Sequence, residues 1–177
     1  MIPTEEVESA RLKWRARSVL FYAIGAVLLA TGVAARTPVP LFLALREACL
    51  MIEEEGLPAR IARHQKLSQA VQAAAKAWGL SLFPKIDRLH GYSTTVTAVE
   101  YPSGVKDADM RGHIKKMGII IAGGQDHLNG KIFRIGNMGA VSAPEILATL
   151  AATQIALKKS GYTPKGDGVM AAGEVLG

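Results

Sequence analysis

GKIFRIGNMG, residues 130–139, sets one arginine in a short apolar run and closes it with paired glycines. Alternation along an extended segment separates Phe133 and Ile135 from Arg134 and puts Ile132 on the arginine's side. A guanidinium among apolar neighbours needs a partner, because an unpaired buried charge costs several kcal/mol. Two partners satisfy that need. One is an internal Asp or Glu; the other is a planar carboxylate from outside, which arginine matches with two parallel hydrogen bonds.

Outward from this strand the pattern is mixed. Downstream, Ser142-Ala-Pro-Glu145 has capping-box spacing and opens a helix with Ile146, Leu147, Leu150 and Leu157. That helix ends at Lys158, Lys159 and Gly161, cations and glycine where a C-terminus favours them. The tail from Tyr162, with four glycines and one proline, reads as loop or a short closing turn. Upstream lie strands at Ile119–Ala122, Thr94–Tyr101 and Ser81–Phe83, with a short helix capped by Asp107 or Asp109 and packing Met110, Ile114 and Met117 inward.

Two longer helices precede them. Pro40–Glu55 repeats apolar residues at Leu41, Ala44, Leu45, Ala48, Met51 and Ile52, and Gly56 stops it. Leu57–Trp78 lines one face with Leu57, Ile61, Leu67, Val71, Ala74, Ala75 and Trp78, with His64 within that spacing as a partly buried, hydrogen-bonded residue. The resulting order predicts an α+β fold: a two-layer sandwich whose small, mostly antiparallel sheet is covered by helices on one face.

Composition narrows the function. With 177 residues, 49% of them hydrophobic, the chain can bury a core. The charge of +6 is scattered except around Arg11–Arg17, and no stripe of basic and aromatic residues follows, so nucleic acid is not expected as a partner. The single cysteine, Cys49, excludes a disulfide framework and suits a reducing cytoplasm. His90, His113 and His127 are dispersed, so neither a metal set nor a catalytic set is expected; metalloprotease, Walker and nucleophile-elbow motifs are absent, and Ile121-Ala-Gly-Gly124 lacks the helix a phosphate loop needs.

VLFYAIGAVLLATGVAA, residues 19–35, carries no charge and ends before Arg36 in a sequence like a signal-peptidase site. A segment buried or covered by a partner is favoured over an anchor or leader, because Glu5, Glu6 and Glu8 make an acidic start and glycine and threonine dilute the run. A membrane is accordingly not expected as a partner.

From about Thr31 to Tyr162 the chain resembles the class V pyridoxal-phosphate aminotransferases, the group that includes alanine–glyoxylate and serine–pyruvate aminotransferases. The resemblance rests chiefly on Gly123-Gly124, Leu128-Asn-Gly-Lys131, Phe133-Arg-Ile-Gly136 and Met138-Gly139. Ala44-Leu-Arg-Glu47, Glu54-Glu-Gly56, Arg63-His64 and Thr95-Val-Thr-Ala98 support it. It implies the small C-terminal domain of a fold type I enzyme over residues 37–162, an apolar junction segment over 1–36 and a tail over 163–177.

It further implies that Arg134 grips the α-carboxylate of an amino-acid or 2-oxo-acid substrate, and that Thr37, in Thr37-Pro38, reaches the cofactor phosphate of a neighbouring subunit. Before Thr37 the pattern departs, with Val33, Ala34, Ala35 and Arg36 where that family carries polar or aromatic residues. No lysine stands in the family's Ser/Thr-x-Lys setting before a proline-glycine turn. The implied reading is a truncated or split member, inactive alone and not itself binding pyridoxal phosphate, that self-associates or meets an N-terminal aminotransferase half. A non-catalytic dimerisation module and a membrane-anchored small protein are the rival readings.

Overall fold

The structure, a computed structural model, describes Tyr22, Gly25 and residues 38–86 and 91–177. The run 19–35, apart from those two positions, lies outside the described residues, as do Arg36, Thr37 and His90. The chain divides into two compact units, residues 1–54 and 55–177.

The described part of the first unit is mostly helix α1, Val39–Glu55, whose last residue belongs to the second unit. The helix spans the stretch its periodicity predicts, but none of its residues is buried. Leu41, Phe42, Leu43 and Leu45 are 51–68% exposed. Consecutive helical residues are about 100° apart, so apolar residues at 41, 42 and 43 surround more than half of the helix rather than forming one stripe. Among the described residues no helix is long and apolar enough to cross a membrane.

In the second unit, α2 (Leu57–Ala77) is followed by β1 (Leu82–Phe83), β2 (Val96–Glu100), α3 (Asp107–Lys116), β3 (Ala122–Gly123), β4 (Ile132–Gly136), α4 (Ala143–Lys159) and α5 (Gly168–Leu176). The four strands form one antiparallel sheet in the order β1-β2-β4-β3. Residues directly opposite in such a ladder share a face. Leu82, Val99, Phe133 and Gly123 therefore form one row across the sheet, and Phe83, Ala98, Arg134 and Ala122 form the neighbouring row on the other face.

The first face carries the core. Leu82, Val99, Phe133 and Ile135 pack with Val71, Ala74 and Trp78 of the α2 end, Met110 and Ile114 of α3, Leu150 and Leu157 of α4 and Ala172 of α5. This is the α+β arrangement of helices on one face of a small sheet. Only the second half of α2 takes part: Leu57 and Ile61, expected on its apolar face, are 59% and 49% exposed, and burial begins at Leu67.

Two local expectations change. The strand expected over Ile119–Ala122 is shifted to Ala122–Gly123, because Gly118, at φ +82°, turns the chain out of α3 and leaves Ile120 81% exposed, with no strand neighbour to cover it. The tail, expected as loop or turn, forms α5. Asp167 caps it by accepting hydrogen bonds from the Val169 and Met170 N–H groups at 2.9 and 3.2 Å.

Trp78 joins the last elements. Its indole N–H donates to Gln154 Oε1 at 2.6 Å, an oxygen that also accepts the Gly168 N–H at 2.9 Å. The Trp78 carbonyl accepts from the Tyr162 hydroxyl at 2.8 Å and the Lys165 N–H at 3.2 Å. Gly168 lies against the indole so closely that a Cβ there would fall 2.2 Å from Nε1.

Candidate functional site around Arg134

Arg134 projects from the sheet face opposite the core, half-buried, with Ala98 and Ala122 directly beside it on the flanking strands. Two methyl neighbours leave space around the guanidinium and offer it no counter-charge. Its Nε donates to the Gly123 carbonyl at 2.9 Å, which orients the plane of the group. Its two terminal nitrogens donate to nothing among the described residues, and Arg134 joins none of the ion pairs there, which are Arg60–Glu55, Arg63–Glu55 and Arg111–Asp107. The internal Asp or Glu partner considered for Arg134 is therefore not found among the described residues. What remains is a fork, fixed at its stem, with both tines available to an oxyanion.

The acceptor that fixes the stem depends on a tight turn. Beyond Gly123 the backbone folds so closely that a Cβ on Gly124 would stand 1.9 Å from the Leu128 carbonyl oxygen. The turn continues through a 3-10 segment, Asp126–Leu128, and reaches β4 with the Lys131 N–H donating to the Leu128 carbonyl at 3.0 Å.

On the C-terminal side of β4, residues 137–141 are fastened to the start of α2. Arg63 Nη1 donates to the Val141 carbonyl at 2.7 Å and Nη2 to the Gly139 carbonyl at 2.9 Å, while its Nε and Nη2 donate to the Glu55 carboxylate at 2.5 and 2.9 Å. These bonds hold the Glu55 carboxyl below its ordinary range. His64 Nε2 lies 3.3 Å from the Gly139 carbonyl, the half-buried, hydrogen-bonded histidine expected from the α2 spacing.

Asn137 is fully buried. Its Nδ2 donates to the His64 carbonyl at 3.0 Å and the Thr94 carbonyl at 2.8 Å, and its N–H donates to the Thr95 carbonyl at 2.9 Å. Its Oδ1 finds no partner among the described residues. A buried acceptor left unpaired costs about 1–3 kcal/mol, so the amide's two donated bonds come at a cost that an apolar residue would avoid.

On the other side of the sheet Asp107, expected as a helix cap, instead binds side chains. It accepts from the Tyr101 hydroxyl at 2.7 Å and from Arg111 Nε at 2.8 Å, with a second bond from Arg111 Nη2. The Arg111 bonds hold the Asp107 carboxyl below its ordinary value, and burial, reinforced by the bond to Asp107, raises the Tyr101 phenol. The Tyr101 ring packs against Phe133, centroids 5.2 Å apart, so the triad supports β4 from the core side.

Of the residues singled out from sequence, Arg134 stands at the centre of β4, the Arg63–His64 pair is brought to the loop that follows the strand, and Thr37 lies outside the described residues. Asn137 and Glu55 were not anticipated as parts of this site. Their signals were an asparagine between Gly136 and Gly139, where a buried amide can bind turning backbone, and a glutamate eight residues before Arg63 across a helix break at Gly56.

No family model matches the chain. An uncharacterized aminotransferase of Methanocaldococcus jannaschii is 46% identical over 134 residues, which cover 75% of this chain and 34% of that protein. A protein of a Synechococcus species, described as the small subunit of a soluble hydrogenase, is 46% identical over 142 residues, 78% of this chain and 36% of its own length. Among solved structures, the ureidoglycine–glyoxylate aminotransferase of Bacillus subtilis superposes with a TM-score of 0.69 at 34% identity, covering 75% of this chain and 34% of that one. The chain thus spans about a third of the length of the curated relatives it matches.

Proposed function

Since this chain belongs to the class V aminotransferases and matches their C-terminal part, we propose that it supplies substrate recognition, with Arg134 binding the carboxylate of an amino acid or 2-oxo acid during amino-group transfer. The observation that carries this reading is the pair of terminal guanidinium nitrogens without a partner among the described residues, on a side chain whose stem is already held by Gly123. A carboxylate presents two oxygens in one plane at a spacing that suits both nitrogens, so binding fixes the substrate's orientation as well as neutralising its charge. Ala98 and Ala122 keep the approach open and leave no side-chain acceptor in that row to compete for the fork.

Aminotransferases use pyridoxal phosphate. One guanidinium between two methyl groups suits a carboxylate and does not fit a phosphorylated pyridine that must also meet an amine. This face therefore receives the substrate's carboxylate and not the cofactor. In our reading the Schiff-base lysine and the phosphate cradle come from residues other than those described around Arg134, and the chain alone does not carry out the transfer.

The test of the carboxylate role is a titration of the full chain with pyruvate, followed by the amide NMR shifts of residues 132–136. Arg134→Gln keeps a polar side chain but loses the charge and the fork, and is expected to weaken binding between about tenfold and a hundredfold, the range of 1.5–3 kcal/mol for a charge-assisted hydrogen-bonded pair. Equal binding by Arg134→Gln and the unsubstituted chain defeats the assignment.

The partner reading rests on α1. A helix with apolar residues around most of its circumference and none of them buried needs cover, and we take it as the surface through which the chain self-associates or meets an N-terminal aminotransferase half. Sedimentation equilibrium without detergent is expected to show a dimer or larger species, and Leu41→Glu together with Leu45→Glu is expected to shift it toward monomer. A clean monomer for the unsubstituted chain rules out self-association.

A further inference from the structure

We propose that Arg63 and Asn137 are positioning residues for Arg134, setting the direction in which its guanidinium meets a carboxylate; the proposal rests on the carboxylate role of Arg134 argued above. β4 is fixed at both ends by different devices. Before Arg134, the close turn at Gly124 and the Gly123 carbonyl hold the stem of the side chain. After it, the strand runs only to Gly136 before Asn137 enters the core and bonds three backbone carbonyls, those of His64, Thr94 and Thr95. Thr94 and Thr95 lead into β2, which is paired to β4 through Ala98 opposite Arg134. Asn137 therefore locks the end of the β2–β4 ladder onto α2.

Arg63 continues the attachment by holding the Gly139 and Val141 carbonyls. It cannot swing away, because Glu55 takes two of its N–H groups from the opposite side. The Arg63 side chain makes four hydrogen bonds, two to the carboxylate and two to the loop, and so connects the loop after Arg134 rigidly to the start of α2. A lysine cannot reproduce that planar set of donors. Asn137 donates two bonds from Nδ2 to backbone carbonyls while its Oδ1 has no partner among the described residues, so it ties β4 to α2 at the expense of a fully satisfied core.

These attachments act on direction, not on charge. If the end of β4 loosens, Arg134 remains cationic on the same face, but its plane no longer matches two coplanar oxygens. A spherical anion needs only the charge, whereas a carboxylate needs the plane as well. A purely structural role for Arg63 and Asn137 would change both kinds of binding alike.

The experiment titrates the isotope-labelled full chain with sodium pyruvate and, separately, sodium chloride, following the amides of residues 132–136. Arg63→Gln and Asn137→Ala are each expected to weaken pyruvate binding about tenfold and to leave chloride binding unchanged. Glu55→Gln, which keeps both loop carbonyl bonds and frees only the Arg63 anchor, is expected to give a smaller loss of pyruvate binding in the same direction, and it serves as the measurement if Arg63→Gln fails to fold. Unchanged pyruvate binding in the folded variants, or equal loss of pyruvate and chloride, overturns the positioning role while leaving Arg134 as the carboxylate grip. If Arg134→Gln binds pyruvate as well as the unsubstituted chain does, the grip itself is overturned, and the positioning role with it.

Discussion

Trp78→Ala is expected to remove about 3–5 kcal/mol of stability, the range for truncating a large buried aromatic ring. Trp78 has no exposed surface and lies where α2, α4 and α5 meet. Two losses add. The ring leaves a cavity against Gly168, whose lack of a side chain suits an indole and little else. Gln154 Oε1 loses one of its two donors, so the amide that holds the start of α5 through Gly168 and Asp167 is no longer anchored to the end of α2. Trp78→Phe separates the two effects, since it keeps most of the packing and loses the N–H, and is expected to cost about 1 kcal/mol for the hydrogen bond plus a small packing loss. Urea unfolding of both variants checks the prediction; a Trp78→Ala chain as stable as Trp78→Phe contradicts it. Proteolysis adds a spatial check, because cleavage in the 163–177 region should accelerate before the rest of the unit opens.

Gly124→Ala is expected to cost about 2–4 kcal/mol and to disturb the site from its edge. The new Cβ would lie 1.9 Å from the Leu128 oxygen and 2.5 Å from its carbonyl carbon. Both are backbone atoms, so no side-chain rotation relieves the overlap and the turn must open. Opening threatens the Leu128 N–H bond to Gln125 and the Lys131 N–H bond to Leu128, and it displaces Gly123, whose carbonyl orients Arg134. Gly123→Ala is the contrasting substitution. The nearest atoms to its Cβ would be side-chain atoms of Asp107 and Arg111, at 2.9 and 3.2 Å, so the overlap is relieved by side-chain adjustment without opening the backbone, and the expected cost is about 1 kcal/mol. Denaturant unfolding ranks the pair, and amide exchange should show faster opening at residues 122–124 and 132–134 in Gly124→Ala alone. Equal stabilities for the two variants contradict the argument.

Much of this fold is legible in the sequence because its helices announce themselves with ends as well as faces. Gly56 and Gly79 bound α2, and Ser142 with Glu145 marks the start of α4, where the Glu145 carboxylate accepts the Ser142 N–H and hydroxyl, each at 2.7 Å. These contacts belong to the capping box that the Ser142-Ala-Pro-Glu145 spacing predicts. The α5 helix is hidden by its glycines. Gly168 is there for close approach to Trp78 rather than for a turn, a reason that exists only after α2 and the tail have met in space. The overlooked cue was Asp167 as a cap, followed by Val169, Ala172 and Leu176 at helical spacing.

The candidate site is legible only in its centre. Alternation along 132–136 places Arg134 opposite the core, and the register then adds Ala98 and Ala122, which no local pattern pairs with it. Arg63 and Asn137 are 74 positions apart in the chain, and their convergence at one end of β4 is a property of the tertiary fold. Thr94 and Thr95 likewise contribute backbone carbonyls, a role to which side-chain identity gives no clue.

The outermost strands, Leu82–Phe83 and Ala122–Gly123, are two residues each. So short a margin exposes too few unpaired amides and carbonyls to template another polypeptide, which denies this sheet the growth by strand addition that leads to fibrils. Among the described residues, contacts between copies must then work through side chains, and clumping that starts from this sheet should be amorphous and reversible by detergent rather than cross-β.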